Sequence, residues 1–311
     1  MVSQIIHTQN LSRYFGEVHA VDDLSIDVTA GTIFGFLGPN GSGKTTTIRL
    51  LLGLIEPTSG SAQVFDKDTL REGEAIRTQS GALLEQTGLY ERLSAEANLD
   101  FYARVWHLSS AERKSRIQEL LTSLDLWDRR GEQVGGWSRG MKQKLAIART
   151  LLHRPRLLFL DEPTAGLDPV ASAALLEDIQ QLVRQGGMTV FLTTHNLPEA
   201  EKLCDEVAVI RQGKLLSVGS PDALRKQGKD HRLEVTGKNI PAKIADLLAA
   251  RPEVKSVQVQ NDRVNIELTG DVDTSPLVQL LIGQGMAIDE VKKGKANLEE
   301  VFLELVKDNP A

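Results

Sequence analysis

Residues 32–55 read TIFGFLGPNGSGKTTTIRLLLGLI, and this stretch decides the fold. The apolar run TIFGFL follows a turn at Ala30-Gly31 and reads as a buried strand, while TTTIRLLLGLI has helix-forming composition. Between them Gly38-Pro39-Asn40-Gly41-Ser42-Gly43-Lys44-Thr45 fits G-x-x-x-x-G-K-[ST] in the context that pattern requires, strand before and helix after. Glycines there let backbone N–H groups turn inward around phosphate oxygens, and the following helix directs its positive end at them. Lys44 would bridge β and γ phosphates, and the Thr45 hydroxyl would ligate magnesium. A Gly-rich turn matching by chance would not need both flanks.

Downstream, LLFLDEP places Asp161 and Glu162 at the C-terminal end of a buried strand, the edge where open α/β sheets bind ligands. Asp161 would hold magnesium, directly or through water, and Glu162 would act as general base on the attacking water. Adjacent acids before Pro163 and Thr164 could instead mark a helix start; the phosphate loop favours the catalytic reading. From Pro155 the pattern alternates strand (RLLFLDEP), helix (ASAALLEDIQQLVRQ), strand (MTVFLTTH), helix (LPEAEKLC) and strand (VAVIRQGKLL). Such alternation predicts a three-layer α/β domain around a mostly parallel sheet.

Upstream, IIHTQNLSRYF and the alternating DDLSIDV read as strands, and residues 94–131 carry apolar positions at helical spacing. Near Gly228 the character changes. HRLEVTG, SVQVQND and RVNIELTG read as strands, with Asn261-Asp262 as a hairpin turn, and IPAKIADLLAA, SPLVQLLIGQG and the terminal NLEEVFLELV as helices. The expected division is 1–228 and 229–311, the second a small α+β domain of ferredoxin-like order.

The 311 residues carry 36 Lys+Arg against 42 Asp+Glu, a net charge of −6. Residues 229–311 hold 11 basic and 14 acidic residues, so each part is net −3 and neither shows the basic excess of a sequence-independent nucleic-acid binder. No nucleic-acid partner is expected. The single cysteine, Cys204, reads as a small core residue. The opening MVSQIIHTQN has neither a basic n-region nor an apolar h-region, and no apolar run reaches about 18 residues. A cytoplasmic protein is expected, with any membrane association made through a partner.

Trp137-Ser138-Arg139-Gly140-Met141, followed by KQKLAIARTLLHRPRLLFLDEPTAGLDP, closely resembles the signature of ATP-binding cassette (ABC) proteins, usually LSGGQ. The resemblance covers about residues 4–225. It implies a P-loop NTPase ABC cassette with a helical subdomain at about 88–150. It also implies ATP and magnesium as ligands, with ATP hydrolysis driving a separate transmembrane permease from the inner face of the membrane. By the same resemblance, the phosphate loop through Thr46 binds nucleotide. Phe15 stacks on adenine with Val21 lining the same face, though a Phe there is also at home in a core. Ser138 and Gly140 cap the γ-phosphate held by a second ABC subunit, expected as a homodimer. Asp168, in Ala165-Gly166-Leu167-Asp168, belongs to the loop coupling the two sites, and His195 is the switch histidine on the γ-phosphate.

Three positions depart from the family pattern, two in the signature and one upstream of it. Arg139 and Met141 stand where Gly and Gln are commonest, and Glu85 stands where a magnesium-contacting Gln is usual. Glu85 is expected to ligate magnesium, directly or through water. The segment GLYERLSAEANLDFYARV should receive cytoplasmic helices of the permease, with Leu89, Tyr90 and Leu93 as candidate contacts or ordinary core residues. The ending ANLEEVFLEL resembles that of daunorubicin-resistance-type and sodium-export-type ATPases, which points to an exporter. An importer subunit is the nearest alternative. DNA-repair or chromosome-structure ATPases insert a long coiled coil between the two motifs, whereas 93 positions separate Lys44 from Trp137 without sustained heptads. Translation factors of this kind carry two cassettes per chain, and one is present.

Overall fold

A computed structural model describes residues 3–227, 232–270, 272–294, 298–299 and 301–302. They form two compact units, Met1–Pro221 and Asp222–Ala311. The boundary between these units, at 221/222, lies seven residues before the division expected at 228/229.

The first unit opens with β1 (Gln4–Phe15), β2 (Val18–Leu24) and β3 (Asp27–Thr29). The alternating segment DDLSIDV is therefore divided between two strands, because Ser25-Ile26 crosses from one pairing of β1 to another. Every residue of β4 (Ile33–Leu37) is buried, as its unbroken apolar run requires, and it leads through the glycine loop into α1 (Lys44–Leu51). β5 (Ser59–Val64), β6 (Lys67–Asp68), α2 (Gly73–Gln79) and β7 (Ser80–Leu83) follow. The helical region contains α3 (Ala95–Val105), α4 (Ser110–Ser123) and α5 (Arg139–Thr150), N-capped by Ser94, Ser109 and Ser138. Glu112 completes a capping box on α4. Then come β8 (Leu157–Asp161), α6 (Pro169–Gly186), β9 (Thr189–Thr194), α7 (Leu197–Leu203), β10 (Glu206–Arg211) and β11 (Lys214–Gly219).

Two sheets result. One is antiparallel, β2-β1-β5-β6 with β3 on β1; the other runs β11-β10-β4-β9-β8-β7, parallel except for the β10–β11 hairpin. Between them lies the main core, where Phe191 packs against Phe34, Phe36 and Phe159 at ring-centroid distances of 5.6, 5.4 and 5.7 Å. Full burial of each ring contributes about 2–3 kcal/mol, and this fixes the stacking of β4, β9 and β8. Cys204 is buried beneath Gly35, and burial pushes its thiol pKa well up, so it belongs to the core as expected.

The second unit begins within α8 (Pro221–Gln227) and continues as β12 (Arg232–Lys238), α9 (Ile244–Ala249), β13 (Val254–Gln260), β14 (Arg263–Leu268), α10 (Ser275–Gly283) and β15 (Ala287–Gly294). After α8 this is the βαββαβ order, and the antiparallel sheet β13-β14-β12-β15 gives it the ferredoxin-like arrangement. Gln260 pairs with Arg263 across Asn261-Asp262, the expected hairpin. Its core joins Leu233, Val235, Val264 and Ile266 of the sheet to Ile244, Leu248, Leu277 and Leu281 of the helices. The expected terminal helix, residues 297–306, lies largely outside the described residues. Among the described residues no helix is long and apolar enough to cross a membrane.

Candidate nucleotide site

The C-terminal ends of β4, β8 and β9 meet at one edge of the parallel sheet, where the glycine loop leaves β4. Gly43 caps α1 at φ 104°, and a Cβ there would come within 2.0 Å of Ala20 O on β2. Only glycine permits both that angle and that approach. The loop is braced from a second side by the β10–β11 turn. Gly213 (φ 80°) donates its N–H to Ser42 O at 3.0 Å and accepts from Asp22 N at 2.9 Å, tying the loop to β2.

Lys44 is 5% exposed, and its Nζ donates to Gly38 O (2.8 Å) and Pro39 O (3.0 Å). The same ammonium lies 3.0 Å from Glu162 Oε1, while Glu162 Oε2 lies 3.0 Å from His195 Nδ1. One carboxylate thus joins the lysine of the loop to the histidine that follows β9. Glu162 is held in left-handed backbone geometry (φ 48°), which costs a non-glycine residue on the order of 1 kcal/mol. Its N–H is clamped by Thr193, through O at 3.1 Å and Oγ1 at 3.0 Å. Such strain at a strand end aims a side chain.

Thr45 Oγ1 donates to Asp161 Oδ2 at 2.6 Å, and Thr193 Oγ1 donates to Asp161 Oδ1 at 2.5 Å. The buried Ser42 hydroxyl has no hydrogen-bond partner. This all-oxygen set of hydroxyls and a carboxylate suits a hard divalent cation such as magnesium. Among the described residues no three His, Cys, Asp or Glu side chains gather to hold a metal, so oxygens of a bound phosphate would have to complete the coordination.

A cleft of about 490 Å³ runs from Val18 and Ala20 past Asn40, Gly41, Gly43, Lys44, Thr45 and Thr46 to Asp161, Glu162 and Ala165. Val21 requires a correction. It is 1% exposed and packs in the core, because β-strand alternation turns Val18 and Ala20 to the cleft and Val21 to the opposite face. Phe15, at the end of β1, is half exposed with the Arg13 guanidinium 4.5 Å over its ring. Glu85 lines the cleft and meets Arg49 at 3.3 Å, both side chains largely exposed.

Ser138 spends its hydroxyl on Met141 N, and Asp168 caps α6 through Val170 N and Ala171 N. Neither they nor Gly140 line the cleft of their own chain, whereas Arg139 does. Sequence reasoning did not single out Thr193, Gly213 or Arg139 as site residues. Thr193 and Gly213 carry no motif. Arg139 stands inside one, and its departure from the common glycine was the available signal.

A family profile described as ABC transporter matches residues 21–165, and one described as ATP-binding protein DrrA1-3-like, C-terminal domain, matches residues 219–306. Over 98% of its length the chain is 35% identical to the bacitracin transport ATP-binding protein BcrA of Bacillus licheniformis, covering 98% of that protein. It is 34% identical over 99% of its length to the daunorubicin resistance ATP-binding protein DrrA3 of Streptomyces coeruleorubidus, covering 98% of it. Among solved structures, cbiO1 from Clostridium perfringens, part of the ABC transporter complex cbiONQ, superposes with a TM-score of 0.67 at 26% identity. The match covers 71% of this chain and 90% of that one. The chain belongs to the family of ABC transporter ATP-binding proteins, in the branch that carries the DrrA1-3-like C-terminal domain.

Proposed function

We propose that this protein hydrolyses ATP as a dimer and drives export of a substrate through a separate membrane permease. The observation that carries the catalytic part is the Lys44–Glu162–His195 cluster at the mouth of the glycine loop. Glu162 sits at a ligand-binding sheet edge on a strained backbone, where its carboxylate is placed to take a proton from the attacking water. Lys44, already desolvated, exchanges Glu162 for phosphate oxygens when nucleotide enters, and this frees the carboxylate to act as base. His195, 3.0 Å from Glu162, orients it and reaches the γ-phosphate. Thr45, Asp161 and Glu85 would hold magnesium, which supplies charge neutralisation on the terminal phosphate oxygens. Phe15 and Val18 offer apolar surface to adenine.

Each cleft is completed by the Ser138–Gly140 turn of a second copy, with Asp168 at the junction. That arrangement agrees with Ser138, Gly140 and Asp168 standing outside the lining of their own chain's cleft. The relatives named for bacitracin transport and daunorubicin resistance support export as the direction. Around α3, Tyr90, Leu93, Phe101 and Val105 form an exposed apolar face suited to permease helices, which would hold the protein at the inner surface of the membrane.

The test is a cysteine pair, Asn40→Cys with Ser138→Cys, in a Cys204→Ala, Glu162→Gln background. ATP should yield an intermolecular disulfide that ADP does not. A crosslink absent with both nucleotides would defeat the sandwich arrangement.

A further inference from the structure

A second contact, away from the nucleotide cleft, joins the segment that carries Glu162 to the one that carries His195. After Glu162 the chain turns back on itself twice, Ala165 donating its N–H to Glu162 O at 3.0 Å and Leu167 to Thr164 O at 3.1 Å. Within these turns Thr164 is buried, and its hydroxyl donates to Glu199 Oε2 at 2.7 Å. Glu199 belongs to α7, the helix that starts two residues after His195. Its N–H donates to Asn196 Oδ1 at 3.3 Å, and the Asn196 N–H donates to Thr194 Oγ1 at 2.9 Å, which ties the start of α7 to the end of β9. A circuit therefore closes, with Glu162 meeting His195 at 3.0 Å and Thr164 meeting Glu199. Among the described residues no cation pairs with the half-buried Glu199, and the Thr164 hydroxyl is the partner of its carboxylate. A charged acceptor makes such a bond about twice as strong as a neutral one. The same segments line a cavity of about 690 Å³ that reaches Glu162 and His195, so little side-chain packing fixes the loop on that side.

We propose that Glu199, acting through the Thr164 hydroxyl, is a positioning residue that keeps Glu162 and His195 in register for attack on the terminal phosphate. This rests on the general-base role proposed for Glu162 and adds a second tie to it. The loop after Glu162 leaves β8 on a left-handed backbone, α7 leaves β9 beside it, and the cavity between them gives both room to shift. The Thr164–Glu199 bond spans that gap and holds the two segments at one separation. A displacement of about 1 Å at reacting groups lowers a rate by up to about 10²-fold. Neither Thr164 nor Glu199 lines the nucleotide cleft, so the bond acts on the rate of hydrolysis and not on the hold of Lys44 and Thr45 on the phosphates.

The test is steady-state ATPase of the full-length protein with magnesium, alongside calorimetric titration of ADP to count competent sites. Thr164→Val keeps the shape and removes the hydroxyl. It should lower kcat about tenfold or more while KM and the ADP stoichiometry stay within about twofold of native. Glu199→Ala should match it, and the double variant should be no slower than the slower single, because both remove one interaction. Thr164→Ser and Glu199→Gln, which can still donate and accept, should recover most of the rate. A kcat for Thr164→Val within about twofold of native would overturn the proposal, and this variant decides alone if Glu199→Ala does not fold. Losses that multiply in the double variant would show independent effects, and a fall in stoichiometry equal to the fall in kcat would show a merely structural role; either overturns it. Glu162→Gln is the control for the base. If it turns over normally, the reading of the site fails and this inference with it, whereas its collapse beside a normal Thr164→Val removes this inference alone.

Discussion

Replacing Glu162 with Gln removes a charge that neutralises Lys44. Two unit charges at 3.0 Å attract by about 5 kcal/mol at an effective dielectric of about 20. Much of that is offset. Glu162 is 24% exposed and partly hydrated, and Lys44, at 5%, retains two carbonyl acceptors when the carboxylate is neutralised. A net of about 1–2 kcal/mol remains as the cost that entering phosphate must overcome to displace Glu162. Glu162→Gln should therefore bind ATP about 5–30-fold more tightly than the native protein, since about 1.4 kcal/mol corresponds to tenfold. Hydrolysis should fall by about 10²–10⁴ with loss of the base. The assay pairs calorimetric titration of ATP with phosphate release under saturating nucleotide, and scattering should show dimer accumulating. An affinity equal to or weaker than native would refute the idea that Glu162 competes with phosphate for Lys44. Turnover within threefold of native would remove Glu162 as base.

Two further substitutions probe the frame and the metal. Gly213→Ala places a methyl 2.7 Å from His19 O at φ 80° and should cost about 1–3 kcal/mol of stability while weakening ATP binding, because the turn ties Ser42 to β2. A melting temperature and ATP affinity equal to native would mean the brace is dispensable. Glu85→Gln should leave stability within about 0.5 kcal/mol, since its pairing with Arg49 is exposed, yet raise severalfold the magnesium concentration giving half-maximal ATPase. An unchanged magnesium requirement would show that the Glu85 charge does not reach the metal.

What could be read from residue order alone was what neighbouring residues dictate. The glycine loop declared itself between TIFGFL and TTTIRLLLGLI, the βα alternation after Pro155 gave the parallel sheet, and Asn261-Asp262 gave a hairpin, each a matter of backbone geometry and periodicity within a few residues. β5 was illegible because SGSAQV is mostly small and polar, and pairing with β1 and β6 makes it a strand. Packing alone decided the rest. The Lys44–Glu162 and Glu162–His195 contacts join residues far apart in the chain, and they exist because Phe34, Phe36, Phe159 and Phe191 lock three strands in register. Whether Val18 or Val21 faces the cleft depends on which side of β2 the core covers. Motif chemistry is local and can be spelled out in sequence, whereas the direction in which a side chain points is set by the burial of distant neighbours.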